Sequence, residues 1–538
     1  MHFATAWEQV ADLYPNRNAV ICDQSVTAWG DFERRAACVA GALEAHGLAP
    51  GSKAALYLHN SNEYQEAQFG IFKIGGCPIN VNYRYKADEL VYLLDNADAE
   101  AVFYQACYAM RIWEIKERLP KVKAFIQIDD RTESLLKGSL DYERCIRDTA
   151  PLPRREQDND GLYMLYTGGT TGLPKGVMYS AGEFVSGLIQ MGATARELEP
   201  PTNLDEYREM LARVGAPPIS LPGCPLMHGT GVWLGSFLPM FMGGTVVTTA
   251  KLGLDPDNLL GLVEHYRVTD LIIVGDAFAK PILVALDDAA KRGNAYDLSS
   301  LKQITSSGVM WSQETKLGLL RHHDMVLADI MGSTEGGMGS SVMTRDGDKA
   351  QTAKFELMEG VRVVTDDDRF VEPGSAEIGK LATSGSVPLG YYKDPEKSAA
   401  TFREVEGVRY AFPGDYATVE ADGSITLLGR GSACINTGGE KVFPEEVEEA
   451  VKRHPAVFDC LVVGVPDERF GEKVVAVASL AERAKAQEGE VVDFTREQLA
   501  GYKVPKQVLL VAQVRRAPNG KADYKWAMAE ALKAYGTQ

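Results

Sequence analysis

The chain has 538 residues, 45% of them hydrophobic and 24% charged, with a formal net charge of −18. That balance excludes a disordered chain and implies more than one domain, with cores large enough to need neither disulfides nor structural metals. The acidic surplus argues against general nucleic-acid binding, so an anionic ligand needs a local site of backbone N–H groups, a few basic side chains and a metal ion.

In chain order, residues 54–58, 101–104 and 124–128 are short apolar runs expected as buried strands. Residues 162–166 form another, followed by a glycine-rich segment and a helix that starts near Ser180. Residues 193–218 are polar and proline-rich, and read as a surface excursion holding a short helix at 204–214. The most apolar stretch, 232–247, holds three glycines and a proline and falls short of the ~20 residues of a membrane span, so it reads as buried helix and strand. Strands follow at 270–274, 301–305 and 325–328. Runs with so little polar alternation suit sheets covered on both faces, hence an α/β fold with parallel pairing.

Past about residue 430 the pattern changes. Pro444 opens a helix with acids in its first turn. Strands at 460–463 and 474–477, a helix near 494–502 and a strand at 508–511 complete a compact α+β unit. Two domains are expected, 1–430 and 431–538. The eight cysteines form no C-x-x-C pair, which disfavours a zinc site and a secreted disulfide framework. The first residues lack a basic stretch leading into an apolar one, so no signal peptide is expected and the setting reads as cytoplasmic.

The strongest chemical signal is Tyr-Thr-Gly-Gly-Thr-Thr-Gly-Leu-Pro-Lys-Gly-Val at residues 166–177. Backbone N–H groups around Gly168, Gly169 and Gly172 can curl around phosphate oxygens, with the hydroxyls of Thr167, Thr170 and Thr171 and the ammonium of Lys175 as further donors. A Walker A loop ends in Gly-Lys-Ser/Thr, whereas here Pro174 precedes the lysine and Gly176 follows it. A merely flexible surface loop is disfavoured by the flanking strand and by Ser180-x-x-Glu183, a capping-box pattern.

This segment resembles the phosphate loop of the adenylate-forming acyl-CoA synthetases, relatives of luciferases and of peptide-synthetase adenylation domains. Further motifs of that family follow in its order. Pro225-Leu-Met-His228 is similar to the segment beside the acyl carboxylate, with Trp233 and Phe237 as candidate acyl-pocket residues. Ser306-Ser307-Gly308 resembles the stretch against the adenine, where Gly308 lets backbone approach the ring. Asp329-Ile-Met331-Gly332-Ser333-Thr334-Glu335 resembles the motif in which the threonine meets the α-phosphate and the glutamate holds Mg²⁺; Met331 stands where the family has an aromatic residue. Asp415 matches the ribose-binding aspartate, although Pro413 replaces a threonine, and Arg430 matches the arginine that reaches ribose or phosphate.

The resemblance makes Gly431 and Ser432 the hinge, with Ser432 in place of the usual aspartate or lysine. Gly438, Gly439, Glu440 and Lys441 match the loop that lines the pantetheine channel, and Lys521 of Pro518-Asn-Gly-Lys matches the adenylation lysine. Alone, a histidine, a Ser-Thr-Glu turn or an exposed lysine would each be commonplace; their shared order gives them weight.

The fold implied is α/β, a large N-terminal domain of layered, mostly parallel sheets with helices plus a small mobile α+β C-terminal domain. The chemistry implied is activation of a carboxylic acid by ATP with Mg²⁺, followed by transfer to coenzyme A. Among relatives the chain looks most like bacterial fatty-acyl and steroid side-chain CoA ligases. A carrier protein as acyl acceptor, or a silent nucleotide-binding homologue, are the alternatives. The acid's identity, and whether the chain works as a homodimer, stay open.

Overall fold

The computed structural model describes residues 1–168, 173–347, 351–437, 440–467, 469–518 and 520–535. One sheet of fifteen strands runs through the larger part of the molecule. From Asn18–Cys22 through Thr245–Thr248, Ile219–Pro222, Asp270–Ile273 and Gln303–Ser307 to Val326–Ser333, neighbours pair in parallel. Beyond Val326–Ser333 the pairing turns antiparallel, beginning with the hairpin partner Gly336–Met343. A second, five-stranded sheet is parallel throughout, in the order Cys77–Asn80, Lys53–Tyr57, Ala99–Gln105, Ala124–Ile128, Leu140–Asp141. The mixed α/β architecture and the predicted strands agree with the sequence reading.

The N-terminal helix Phe3–Leu13 supplies Phe3 and Trp7 to an aromatic core with Phe72, Tyr163, Phe237 and Phe241. Phe3 stacks flat on Phe72 with centroids 4.0 Å apart. Helix Asn62–Lys73 starts where the Ser61 hydroxyl accepts from the Tyr64 N–H, at 3.2 Å, and ends at a lysine, each favourable at its own helix end. That lysine is fully buried: Lys73 pairs with Glu8, and with Glu33 at 2.7 Å, tying three helices together.

The last strands form a sheet of their own, with Ile435–Thr437, Glu440–Val442, Val457–Asp467, Gly471–Leu480 and Gln507–Val511, packed by helices Pro444–Lys452 and Glu488–Arg496 on a valine-rich core. Helix Tyr524–Tyr535 packs beside it through Ala527 and Ala531.

Three expectations change. The helix expected near 494–502 spans Glu488–Arg496, because the Gln487 N–H donates to Glu490 at 2.8 Å and caps it earlier. The excursion at 193–218 is docked rather than free. Its helix Leu204–Arg213 buries Tyr207, Met210 and Leu211, and the Tyr207 hydroxyl donates to the Phe241 carbonyl at 2.8 Å. The glycine segment does not run straight into a helix. Strand Lys175–Ser180 intervenes, antiparallel to Leu162–Thr167, with Thr167 opposite Lys175. Ser180 still caps helix Ala181–Thr194.

Replacing Lys73 by methionine leaves the buried Glu8 without its ion-pair partner, while Glu33 keeps Arg154 at 3.3 Å, a change that costs about 3–5 kcal/mol. Denaturant unfolding of Lys73→Met should show that loss, and an unchanged midpoint would contradict the structural role given to the pair.

Candidate active site

Four neighbouring parallel strands end at one place. The residues just past them, Cys224, Val274, Gly308 and Thr334, all line a cavity of about 520 Å³. Crevices at the carboxyl ends of parallel strands are the usual ligand sites of such sheets, because the backbone leaves the layer there and strand tips converge. Asn80, at the end of a strand in the second sheet, closes one side. Its amide donates to the carbonyls of Tyr166, at 2.8 Å, and Met227, at 2.6 Å, and its oxygen accepts from the Tyr166 N–H, at 2.7 Å. One asparagine thus fixes the start of the glycine loop against the segment that carries His228.

Of the residues expected from sequence, Thr167, Gly168, His228, Trp233, Ser307, Gly308, Gly332, Ser333, Thr334 and Lys521 line this cavity. Gly169, Thr170, Thr171, Gly172, Gly438 and Gly439 lie outside the described residues. Thr334 and Glu335 form the two-residue tip of the hairpin in which Ser333 pairs with Gly336. The Tyr179 hydroxyl donates to the Thr334 carbonyl, and the Tyr391 hydroxyl to Glu335 Oε1 at 2.7 Å. Both tyrosines have their pKa raised, by burial first and by Glu335 next.

Asp415 and Arg430 face each other across adjacent strands and pair at 3.3 Å. Asp415 raises the arginine's pKa, and Oδ2 of Asp415 is buried with no hydrogen-bond partner among the described residues. Such an oxygen suits a ligand hydroxyl.

Lys521 is built from local contacts. The Ala517 N–H donates to the Lys521 carbonyl and the Gly520 N–H to the Ala517 carbonyl, both at 2.9 Å. Arg516 pairs with both carboxylate oxygens of Asp459 at 2.7 Å and donates to the Gly520 carbonyl at 3.1 Å. Gly520 has φ +71°, and a Cβ there would lie 2.9 Å from Cβ of Ala277. The turn thus lies on helix Gly275–Lys291, whose Lys280 donates to the Phe458 carbonyl at 2.8 Å. Lys521 keeps accessible surface because it faces the cavity, yet protein surrounds it closely enough to lower its pKa. Burial is the first cause and Arg430 the second, while Glu335 and Asp415 oppose them.

The His228 ring is neutral, since burial first and Lys521 second bring its pKa down to about 3. Its Nε2 has no hydrogen-bond partner among the described residues.

Several expected residues stand elsewhere. Phe237 is fully buried in the aromatic core, not on the cavity wall. The segment Thr230–Phe237 is a π-helix, with the Leu238 N–H reaching the Trp233 carbonyl five residues back. Phe237 instead packs on Phe3 and Trp7, with ring centroids 5.0 and 5.7 Å away. Strand alternation turns Ile330 and Gly332 to the cavity and Asp329 and Met331 away from it. Met331 packs with Met338 and Phe355, and Asp329 forms a buried ion pair with Lys316 at 2.9 Å.

Lys175 pairs with Asp394 at 3.0 Å and is not on the wall. Glu440 begins strand Glu440–Val442, also off the wall, and Lys441 follows it in that strand. Gly431 lies in the turn Gly431–Ala433 that also holds Ser432, and a side chain on Gly431 would strike the Tyr416 ring, so close packing explains this glycine. Asn80, Tyr179, Tyr391 and Arg516 were missed. Their roles depend on contacts across at least four residues and up to 155.

The family model described as "AMP-binding enzyme" matches residues 7–392, and that described as "AMP-binding enzyme C-terminal domain" matches residues 446–521. Over 540 residues the chain is 39% identical to the 3-oxocholest-4-en-26-oate–CoA ligase of Rhodococcus rhodochrous, covering 98% of this chain and 95% of that protein. Over 538 residues it is 38% identical to the medium/long-chain-fatty-acid–CoA/3-oxocholest-4-en-26-oate–CoA ligase of Mycolicibacterium smegmatis, covering 98% and 96%. The crystal structure of the anthranilate CoA ligase AuaEII in complex with anthranoyl-AMP shares the fold, with TM-score 0.85 and 23% identity over 99% of this chain and 98% of that one.

Glu445 lies against Gly429 beneath Arg430, and burial first and Glu448 second push its pKa from 4.5 up to about 8. A raised carboxyl pKa means that the folded state holds the proton more tightly, so this contribution to stability is complete below pH 4.5 and is lost as pH rises through 8. Glu445→Gln stays neutral at every pH. Its Tm relative to the parent protein should therefore rise between pH 5 and pH 8, and an equal difference at both pH values would contradict the buried, protonated carboxyl.

Proposed function

As this chain belongs to the AMP-binding enzyme family, we propose that it is an acid–CoA ligase for a fatty or steroid side-chain acid, working through an acyl-adenylate. The observation that carries this reading is Lys521, a lysine from the far end of the chain, on the same cavity wall as Thr334 and His228. The names of the relatives support the acid class and coenzyme A as acceptor.

A carboxylate resists attack because it is anionic and its leaving group would be oxide. In the first step its oxygen attacks the α-phosphorus of ATP, the bond to the bridging oxygen breaks, and pyrophosphate leaves. Charge gathers on the non-bridging oxygens, where the Lys521 ammonium and the Thr334 hydroxyl are donors held in advance, with little reorganisation left for the moment of reaction. Asp415 Oδ2 accepts from a ribose hydroxyl, and Arg430 pairs with the other oxygen of that carboxylate at 3.3 Å. The neutral His228 ring adds no charge to repel Lys521. In the second step the coenzyme A thiol attacks the acyl carbon, its proton is lost, and AMP departs with the oxygen that came from the acid.

Mg²⁺ fits Glu335. Tyr391 occupies Oε1 and leaves Oε2, and magnesium takes one or two carboxylates together with phosphate oxygens and water rather than an all-protein cage. The absence of a three-residue acidic or histidine cluster among the described residues agrees with such a shared site. When bound, the ion would neutralise charge on the phosphates.

The second step needs the segment 438–441 near the acyl carbon in place of Lys521. Residues 431–538 therefore turn as a unit about Gly431 and Ser432, with the domain boundary at 430. The arrangement described above suits adenylation, since Lys521 is on the wall and Glu440 is not. No helix among the described residues is long and apolar enough to cross a membrane, which suits work in the cytoplasm on dissolved ATP and coenzyme A.

Lys521→Ala should slow acid-dependent pyrophosphate exchange by about 10²–10³-fold, the cost of removing one donor aimed at transition-state charge. Exchange at the parent rate would remove the lysine from the reaction. Because the Lys521 pKa is lowered, exchange by the parent protein should also decline with rising pH before the ~10.4 of an ordinary lysine.

A further inference from the structure

Helix Ala181–Thr194 contains three glycines, an expensive choice inside a helix because glycine forms helices poorly. Two have a packing reason. A Cβ on Gly182 would meet the backbone oxygen of Asn159 at 2.8 Å, and one on Gly192 would meet Met242 at 2.9 Å. Gly187 has none, since a Cβ there would meet no atom within 4 Å. Its φ is not in the left-handed region either, so backbone geometry does not demand glycine.

Gly187 lines the cavity, on one helix face with Phe184, Leu188 and Met191 and with Trp233 also on the wall. At this position the helix gives up propensity and gains only space, in the apolar part of the cavity.

We infer that Gly187 determines acid specificity: its missing side chain leaves the width through which the body of a long or ring-bearing acid passes, whereas a small acid does not need it. The inference rests on the acid–CoA ligase reading and adds to it the residue that sets how bulky the acid can be. Apolar pockets discriminate mainly by excluding what does not fit, and methionine lets the surrounding wall adapt to more than one shape. A large side chain at 187 should fill the gap without touching Thr334 or Lys521, which act on the carboxylate.

The test compares the parent protein with Gly187→Ala, Gly187→Leu and Gly187→Phe, using butanoate, dodecanoate and 3-oxocholest-4-en-26-oate as acids. The readout is kcat/KM by AMP release. Relative to butanoate, Gly187→Phe and Gly187→Leu should lose at least about tenfold on the steroid acid, with a smaller loss on dodecanoate, while Gly187→Ala stays near the parent with no fall in Tm. An unchanged ratio among the acids, or a parallel loss on all three in both bulky variants, would overturn the inference.

Isothermal titration of the same acids reads the cavity without turnover. A parent protein that adenylates none of the acids would sink the ligase reading. The Gly187 claim would then stand or fall on whether the bulky variants weaken binding of the steroid acid more than of butanoate.

Discussion

Everything at the site depends on bringing scarce positive charge to one place in a chain whose net charge is −18. Lys521 and Arg430 feel each other, and each feels Glu335; Asp415 lies close enough to act on both. Two cations and two carboxylates stand near enough for their charges to offset one another. Neither cation could be buried alone without a large desolvation cost. Burial first and Arg430 second lower the Lys521 pKa, so its proton is held less tightly than that of a surface lysine.

The fold meets this demand with parts that are individually ordinary. Parallel strands end together, and their tips bring Val274, Gly308 and Thr334 to the cavity without long loops. The lysine comes from a separate sheet, on a turn held by Arg516 and seated on helix Gly275–Lys291. In the proposed two-step reaction this lysine is withdrawn after the first step. The seat includes a hydrogen bond from Lys280 to the Phe458 carbonyl and the close approach of Gly520 to Ala277.

Much of this was legible in the sequence, because the chemistry needs particular residue types in a fixed order. The α/β class, most strands, and the positions of Thr334, His228 and Lys521 on one cavity followed from apolar runs and motifs. The errors have physical reasons. Asp329 and Met331 belong to a motif, but a strand sends alternate residues to opposite faces, and theirs is the far one. Phe237 sits four residues from Trp233 but is taken up by the aromatic core with Phe3 and Trp7, a long-range packing that the motif does not reveal. Strand Lys175–Ser180 was not foreseen, because its six residues pair back on Leu162–Thr167, a long-range choice that the capped helix start concealed. Asn80 and Arg516 could not be found from one sequence, since each acts through backbone carbonyls that any residue possesses.

The central claim is that the acid's own oxygen attacks the α-phosphorus of ATP. It is tested most directly by turning over dodecanoate labelled with ¹⁸O in both carboxylate oxygens, together with ATP and coenzyme A, and weighing the AMP formed. One ¹⁸O atom per AMP is the result expected of an acyl-adenylate. AMP formed without the label, or label found in phosphate or pyrophosphate instead, would contradict it.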